Sequence, residues 1–319
     1  SSETSKLEDL IDYMKRLCIV IVNYKSPDLT LDCLKSLSYQ IDSDQDCVVI
    51  VDNNSGQNDL ARLQSGIEQD HLRDFVRLIS SPANNGFSAG NNIGIKAVDA
   101  ENYLLANSDT LFRDNAIAEI LYAAKRYPRS GLISPRLEWA DGKPQISCFR
   151  YHRPLSELIK SAGTDIITKL LKPYNVPLRV NDQPTCPHWT SFACVLIRRN
   201  VFDTIGFLDE GFFMFFEDVD FCRRAQNAGF GILNWPRAHV VHLRGQSSSV
   251  KKKQQALKRL PTYFYRSRAR YYSKYYGKVG LILSNIFWYV GRSISLIKEI
   301  FLQKPRTLPE SQWIDIWNI

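Results

Sequence analysis

The sequence lacks most of the short signatures that assign a chain quickly. It has no C-x-x-C pair and no Cys/His cluster, so structural zinc is not expected. Its cysteines, Cys18, Cys33, Cys47, Cys148, Cys186, Cys194 and Cys222, are odd in number and most lie in apolar runs. They read as reduced core residues of a cytosolic protein, not as a disulfide framework. Neither G-x-G-x-x-G nor a Walker A loop occurs, which argues against a dinucleotide oxidoreductase and a P-loop ATPase. There is no internal repeat, and the one biased tract is Ser247-Ser248-Ser249 followed by Lys251-Lys252-Lys253. The most apolar stretch, Val279 to Gly291, runs 13 residues before Arg292 interrupts it. A membrane span needs about 20 apolar residues, so this stretch is not expected to cross a bilayer.

What is present is ordinary globular material. With 44% hydrophobic and 23% charged residues, the 319-residue chain can bury a sizeable core. That length suits one large α/β domain with an appendage. The net charge of +8 comes from 41 basic and 33 acidic residues, with much of the excess after residue 250. A basic surface attracts phosphate-rich partners, and charge alone does not choose among nucleic acid, anionic lipid and a nucleotide sugar.

The run Leu17–Asn23 is continuously apolar and β-branched, as in a strand covered on both faces of a parallel sheet. Ser26-Pro27 then supplies an N-cap and a first-turn proline, and Leu29, Cys33, Leu34 and Leu37 mark a helical face. A second strand, Cys47–Val51, completes a βαβ unit. Further elements follow: a strand near Phe75–Ser80, a helix about Asn84–Ala97, a strand Tyr103–Ala106, a helix about Asp114–Tyr127 and a strand near Leu132. Residues 150–185 mix Pro, Lys, Thr and Leu and read as a short helix with a loop. The strand Phe192–Ile197, the helix Asp218–Ala228 and the strand Gly231–Leu243 close the series. Polar residues recur where strands end, and ligands of open parallel sheets bind outside those ends. Tyr24, Asp52 and Asp109 therefore belong to one crevice.

Four segments could carry chemistry there. Asp52, followed by Asn53-Asn54-Ser55-Gly56, can accept the imide N–H of uracil or thymine while the turn approaches a ribose. The same residues also make a good turn with no ligand. Asn84–Asn92 places glycines and amides at a helix start, where N–H groups favour phosphate oxygens, although a capped loop looks the same. Asp109, after Asn107-Ser108, suits Mg²⁺ or Mn²⁺ with diphosphate oxygens completing the shell, or equally an N-cap. Glu217-Asp218-Val219-Asp220 follows an aromatic run and opens a helix. Carboxylates suit a helix N-terminus, yet aromatic neighbours would raise a carboxyl pKa towards that of a general base. Glu217 and Asp218 point about 100° apart on the helix, which gives them different tasks. His239 and His242 face opposite sides of a strand, and His242, nearer its end, is the candidate metal ligand, against the ordinary alternative of a core or surface histidine.

The order of these segments resembles glycosyltransferase family 2, especially its bacterial rhamnosyltransferase-like branch. The residues concerned are Ile19–Tyr24, Val49–Ser55, Asn85–Asn92, Leu105–Asp109, Gly206–Asp220 and His242–Ser247. The resemblance implies a GT-A fold: a Rossmann-like, mostly parallel central sheet with flanking helices. It also implies a nucleoside-diphosphate-sugar donor, a divalent metal (Mg²⁺ or Mn²⁺) and inversion at the anomeric carbon. On that basis Asp52 reads the donor base, with Asn23, Tyr24, Asn54, Asn85, Gly86, Asn91, Asn92 and Ser108 around the donor. Asp109 and His242 hold the metal, Asp218 with Glu217 forms the catalytic pair, Asp218 being the base, and Trp189 belongs to the acceptor side. The best reading of the donor is dTDP-rhamnose, with a UDP-sugar as alternative and a catalytically idle nucleotide-sugar binder as a further one. Asn107-Ser108-Asp109 departs from the Asp-x-Asp or Asn-Pro-Asp common in the family. Phe192 stands where this branch usually has glycine, and is expected to narrow the acceptor pocket.

The expected domains are an N-terminal extension over 1–16, in part an expression remnant, a GT-A catalytic domain over 17–250, and a basic, aromatic, amphipathic helical region over 251–319. Basic and aromatic residues beside an amphipathic helix favour an anionic membrane surface, and a helical pair packed on the catalytic domain is the alternative. No nucleic-acid motif accompanies them. The expected setting is the cytoplasmic face of the cell membrane, with a lipid-linked or polysaccharide acceptor.

Overall fold

The protein is described from a computed structural model covering residues 14–69, 72–244, 253, 256–301 and 309–317. In chain order it has β1 (Lys15–Asn23), α1 (Pro27–Ser38), β2 (Asp46–Asp52), α2 (Gln57–Gln69), β3 (Val76–Ser80), α3 (Gly86–Lys96) and β4 (Ala100–Asn107). Next come β5 (Thr110–Phe112), α4 (Ala116–Arg126), β6 (Ser130–Glu138), β7 (Cys148–Phe149), α5 (Ser156–Ala162), α6 (Asp165–Leu170) and a 3-10 turn at Lys172–Tyr174. The remainder is β8 (Trp189–Thr190), β9 (Cys194–Arg198), α7 (Arg199–Ile205), α8 (Glu217–Asn227), β10 (Gly231–His242), α9 (Thr262–Phe301) and α10 (Gln312–Asp315).

Eight strands form one sheet in the order β3-β2-β1-β4-β9-β6-β10-β5. The first four are mutually parallel, as are β6 and β10, while β9 and β5 run against their neighbours. This is the mostly parallel, helix-flanked sheet expected. Burial explains the continuous apolar runs. Ile19, Ile21, Val48 and Ile50 pack with Leu31, Leu34 and Leu37 of α1 in one core layer, while Cys18, Val20, Val49 and Val51 join Ile95 of α3 in another. A strand buried on both faces has no polar side to alternate with. All seven cysteines are free, five of them buried.

Register brings the strand ends level. Asn23 pairs with Asp52, Asp52 with Ser80 and Val22 with Asn107, so the polar ends of β1, β2, β3 and β4 open onto one edge. On the antiparallel side, His242 of β10 pairs with Thr110, next to Asp109.

Many of the aromatic and basic residues after residue 250 belong to α9, which bends at Gly277 (φ 67°), where a side chain would be strained. Before the bend, Tyr275 donates to Asp220 of α8 (2.7 Å), and the hydroxyls of Tyr271 and Tyr276 both donate to the His152 carbonyl (3.1 and 2.7 Å). After it, α9 lies along α5 so closely that a Cβ on Gly291 would fall 2.2 Å from Ser161 Oγ. Judged by length and composition α9 could cross a membrane, contrary to the reading of Val279–Gly291 alone; 39% of its most apolar stretch is buried in the protein. The Gly245–Ser247 end of the last motif, the Ser247–Lys252 tract and residues 1–13 lie outside the described residues.

Candidate active site

A chain of polar contacts floors the crevice. Asn23, fully buried, donates through Nδ2 to Asp52 Oδ1 (2.8 Å) and Ser55 Oγ (3.1 Å), and its Oδ1 accepts from Thr30 (2.8 Å) and Ser26 (3.4 Å). Ser26 Oγ in turn meets Ser108 Oγ at 3.2 Å. Although Ser26 occupies the N-cap position of α1, its side chain makes no cap bond; it joins the β1 turn to the Asp109 turn instead. Asp52 is buried and accepts at its other oxygen from Ser55 N (3.1 Å), so the turn and a fixed carboxylate coexist. Tyr24 (39% exposed) and Asn54, held at φ 60°, remain open to solvent beside it.

The Asn84–Asn92 segment spends its hydrogen bonds on the protein. Asn53 Nδ2 donates to Asn84 Oδ1 and the Gly86 carbonyl (2.9 and 3.0 Å), Gly86 N to Asn84 Oδ1 (3.0 Å), and Phe87 N to the Phe213 carbonyl (2.6 Å). Asn91 donates to the Phe87 carbonyl, while Asn92 both donates to the Leu208 carbonyl and accepts from Leu208 N. A Cβ on Gly86 (φ 93°) would fall 2.2 Å from the Phe213 carbonyl. Two N–H groups read as a phosphate cradle are thus occupied, and the segment clamps the loop leading to Glu217. Asn85 stays exposed at the N-cap of α3, with no cap bond of its own.

Asp109 and His242 come together from opposite directions along the chain. Leu243 N donates to the Asp109 carbonyl (2.9 Å), and Gln145 Nε2 to the His242 carbonyl (2.7 Å). His242 Nε2 lies 3.5 Å from Asp109 Oδ1, and His242 Nδ1 is buried without a hydrogen-bond partner. Two ligands on one ion with bonds of about 2.1 Å stand about 3.0 Å apart at 90° and about 3.4 Å at the tetrahedral angle, so this pair fits a shared divalent cation. No group of three or more His, Cys, Asp or Glu residues gathers among the described residues. Asp109 is not an N-cap, since α4 begins at Ala116 behind Asn115. His239 faces away and binds Glu138 Oε2 (2.9 Å).

Asp218 accepts from Val219 N (2.8 Å) beside the backbone of Phe192, and burial pushes its carboxyl up to about 7. Phe192 itself is buried against Phe221. The carbonyl of the next residue, Ala193, accepts from Asn107 N (2.9 Å). Residues 192 and 193 therefore run between Asp218 and the Asp109 turn. Glu217 is buried with Oε2 unpartnered, and burial followed by the neighbouring Asp218 raises its pKa well above the carboxylate range. Trp189 is buried, stacked on Phe149 (4.1 Å), with its indole N–H on the Arg150 carbonyl (2.7 Å). Beside it His152 contacts Phe216 and Tyr271, and burial drives its pKa down to about 4.

In the sequence Ser26 reads only as a helix cap and Ser55 only as part of a turn, and Gln145 and His152 are not singled out. Ser55 and Ser26 could have been found as hydroxyls flanking the strand-end residues; Gln145 and His152 lie in stretches with no periodic signal.

The mostly parallel eight-stranded sheet with flanking helices is that of the GT-A fold. The chain belongs to glycosyl transferase family 2, whose family model matches residues 18–221. It is 31% identical over 230 residues to the low-salt glycan biosynthesis hexosyltransferase of Haloferax volcanii, a match covering 71% of this chain and 66% of that protein. It is 30% identical over 192 residues to the N-acetylglucosaminyl-diphospho-decaprenol L-rhamnosyltransferase of Mycobacterium tuberculosis, covering 54% of this chain and 60% of the other. Both matches span less than two thirds of the relatives. Among solved structures, a mannosyltransferase from Pyrobaculum calidifontis in complex with GDP-Man and Mn²⁺ superposes with a TM-score of 0.57 at 14% identity, covering 90% of this chain and 76% of the other.

Proposed function

We propose that the chain is an inverting glycosyltransferase that moves a sugar, L-rhamnose from dTDP-rhamnose, to a hydroxyl of a lipid-linked or polysaccharide acceptor in cell-surface glycan synthesis. Asp218 carries this reading: a carboxyl pushed up towards neutrality, held by Val219 N and beside the 192–193 backbone, which is bonded to Asn107 of the Asp109 turn. It takes the proton of the attacking hydroxyl while the new bond to the anomeric carbon forms in line with the departing diphosphate oxygen. Asp109 and His242 would hold Mg²⁺ or Mn²⁺, which supplies positive charge to the leaving diphosphate. Asp52, kept ready by Asn23 and Ser55, meets the nucleobase imide. Tyr24, Asn54 and Asn85 line the open side, and Gly86, Asn91, Asn92 and Ser108 fix its shape. Trp189 backs the acceptor side.

The rhamnose assignment is supported by the activity for which the mycobacterial relative is named, and the membrane setting by the decaprenol-linked substrate in that name. The exposed Val279, Ile282, Ile286, Val290 and Ile297 support contact between α9 and a lipid surface. Packing of α9 along α5 favours a helix lying on the membrane over one crossing it. Vesicle co-sedimentation that survives deletion of residues 279–319 would overturn this part. For the donor, thermal-shift screening of nucleotide sugars with and without Mn²⁺ should show stabilisation by dTDP-rhamnose above UDP-sugars. No stabilisation by any donor contradicts the assignment.

A further inference from the structure

The residues delivering Asp218 are held in an unusual backbone. Phe215 (φ 70°) and Phe216 (φ 66°) are consecutive left-handed residues with bulky side chains, a conformation that persists only where surroundings enforce it. The enforcing contacts come from the first two turns of α9, outside the stretch matched by the family model. Ser267 Oγ donates to the Met214 carbonyl (2.9 Å). The Tyr263 ring packs on Phe213 (4.9 Å between centroids) and stacks with Phe215 (6.5 Å). On the far side, the Phe213 carbonyl is held by Phe87 N.

We propose that the start of α9 is a latch that keeps Phe213–Phe216 in this conformation and so aims Asp218, with Ser267 and Tyr263 as positioning residues. The latch also explains why a C-terminal helix packs beside the catalytic one. It holds a loop whose own preference is for negative φ. Its activity readout rests on the transferase reading, but its structural readout does not.

The test uses the full chain with Ser267→Ala, Ser267→Thr and Tyr263→Leu. Hydrogen exchange should report faster exchange at the Asp220 amide, which donates to the Phe216 carbonyl (3.0 Å), in Ser267→Ala and Tyr263→Leu. kcat should fall about five- to tenfold in both, with donor KM changed less than about twofold, and Ser267→Thr should restore both readouts. Unchanged exchange in folded Ser267→Ala and Tyr263→Leu overturns the latch. Exchange that rises with kcat unchanged shows that the loop does not aim the base, and overturns the positioning role. If the wild type transfers no sugar, the transferase reading fails while exchange still decides whether the latch exists.

Discussion

At the scale of single residues, the site separates two adjacent carboxyls. Asp218 accepts from a backbone N–H and its carboxyl is pushed up to about 7, whereas Glu217 is buried with an unpartnered oxygen and its carboxyl is raised well above the carboxylate range. A base works when ionised, so kcat/KM should rise with pH and level off above about 7, as a pH–rate profile would report. Asp218→Asn should remove this rise and lower kcat by about 10²–10⁴-fold. The folded state holds the Asp218 proton more tightly than the unfolded chain, so wild-type stability falls as pH rises from about 4 to 7. Asp218→Asn should therefore melt higher than wild type at pH 8, a gain that disappears near pH 4. Asn23, Asp52 and His242 stand out in the sequence because they end apolar strands, where the change from apolar to polar side chains is abrupt. Their hydrogen bonds do not. That Ser26 would leave its helix cap for Ser108 depends on a neighbour 82 positions away.

At the scale of elements, the glycine and asparagine of the 84–92 segment serve packing as much as any ligand. Gly86 has both a left-handed φ and a backbone carbonyl in the space a Cβ would need. Gly86→Ala should destabilise the fold by more than about 2 kcal/mol in denaturant titration. It should also reduce turnover, because the carbonyl it would displace belongs to the loop before Asp218. The spacing marked a helix start correctly, and α3 is there. It did not reveal that the helix start is covered, because the covering residues, 208–213, lie more than 100 positions away. The same reason hid the role of α9. Its aromatic and basic residues are compatible with lipid or with protein, and only the fold assigns Tyr271, Tyr275 and Tyr276 to the catalytic side.

For the whole molecule, α9 links the sheet domain to the apolar face that we propose meets lipid. Its two halves meet through a buried set in which Arg268 binds Glu157 (3.2 Å) and Asn285 (2.7 Å), and Tyr272 donates to Glu157 (2.9 Å). Burial opposes the Glu157 charge, but Arg268, Lys160 and Tyr272 outweigh it and bring its pKa down to about 2. A depressed carboxylate contributes stability above its unfolded pKa and loses it as pH falls, here between about 4.5 and 2. Glu157→Gln leaves Arg268 buried without its counter-charge and should cost about 3–5 kcal/mol in equilibrium unfolding at pH 7. Deleting residues 279–319 removes Asn285 with the apolar face, so it should weaken vesicle binding and stability together. The motifs of the sheet region are local and so legible in sequence, whereas docking of α9 depends on which of its faces meets α5 and α8.

The most direct test of the central claim is transfer by the purified chain from dTDP-rhamnose to a lipid-diphosphate-linked acceptor with Mn²⁺, measured for wild type and Asp218→Asn alongside donor affinity. The account predicts rhamnosylated product from wild type, with inverted anomeric configuration, and turnover lost in Asp218→Asn while the donor still binds. Equal turnover by the two proteins would contradict it.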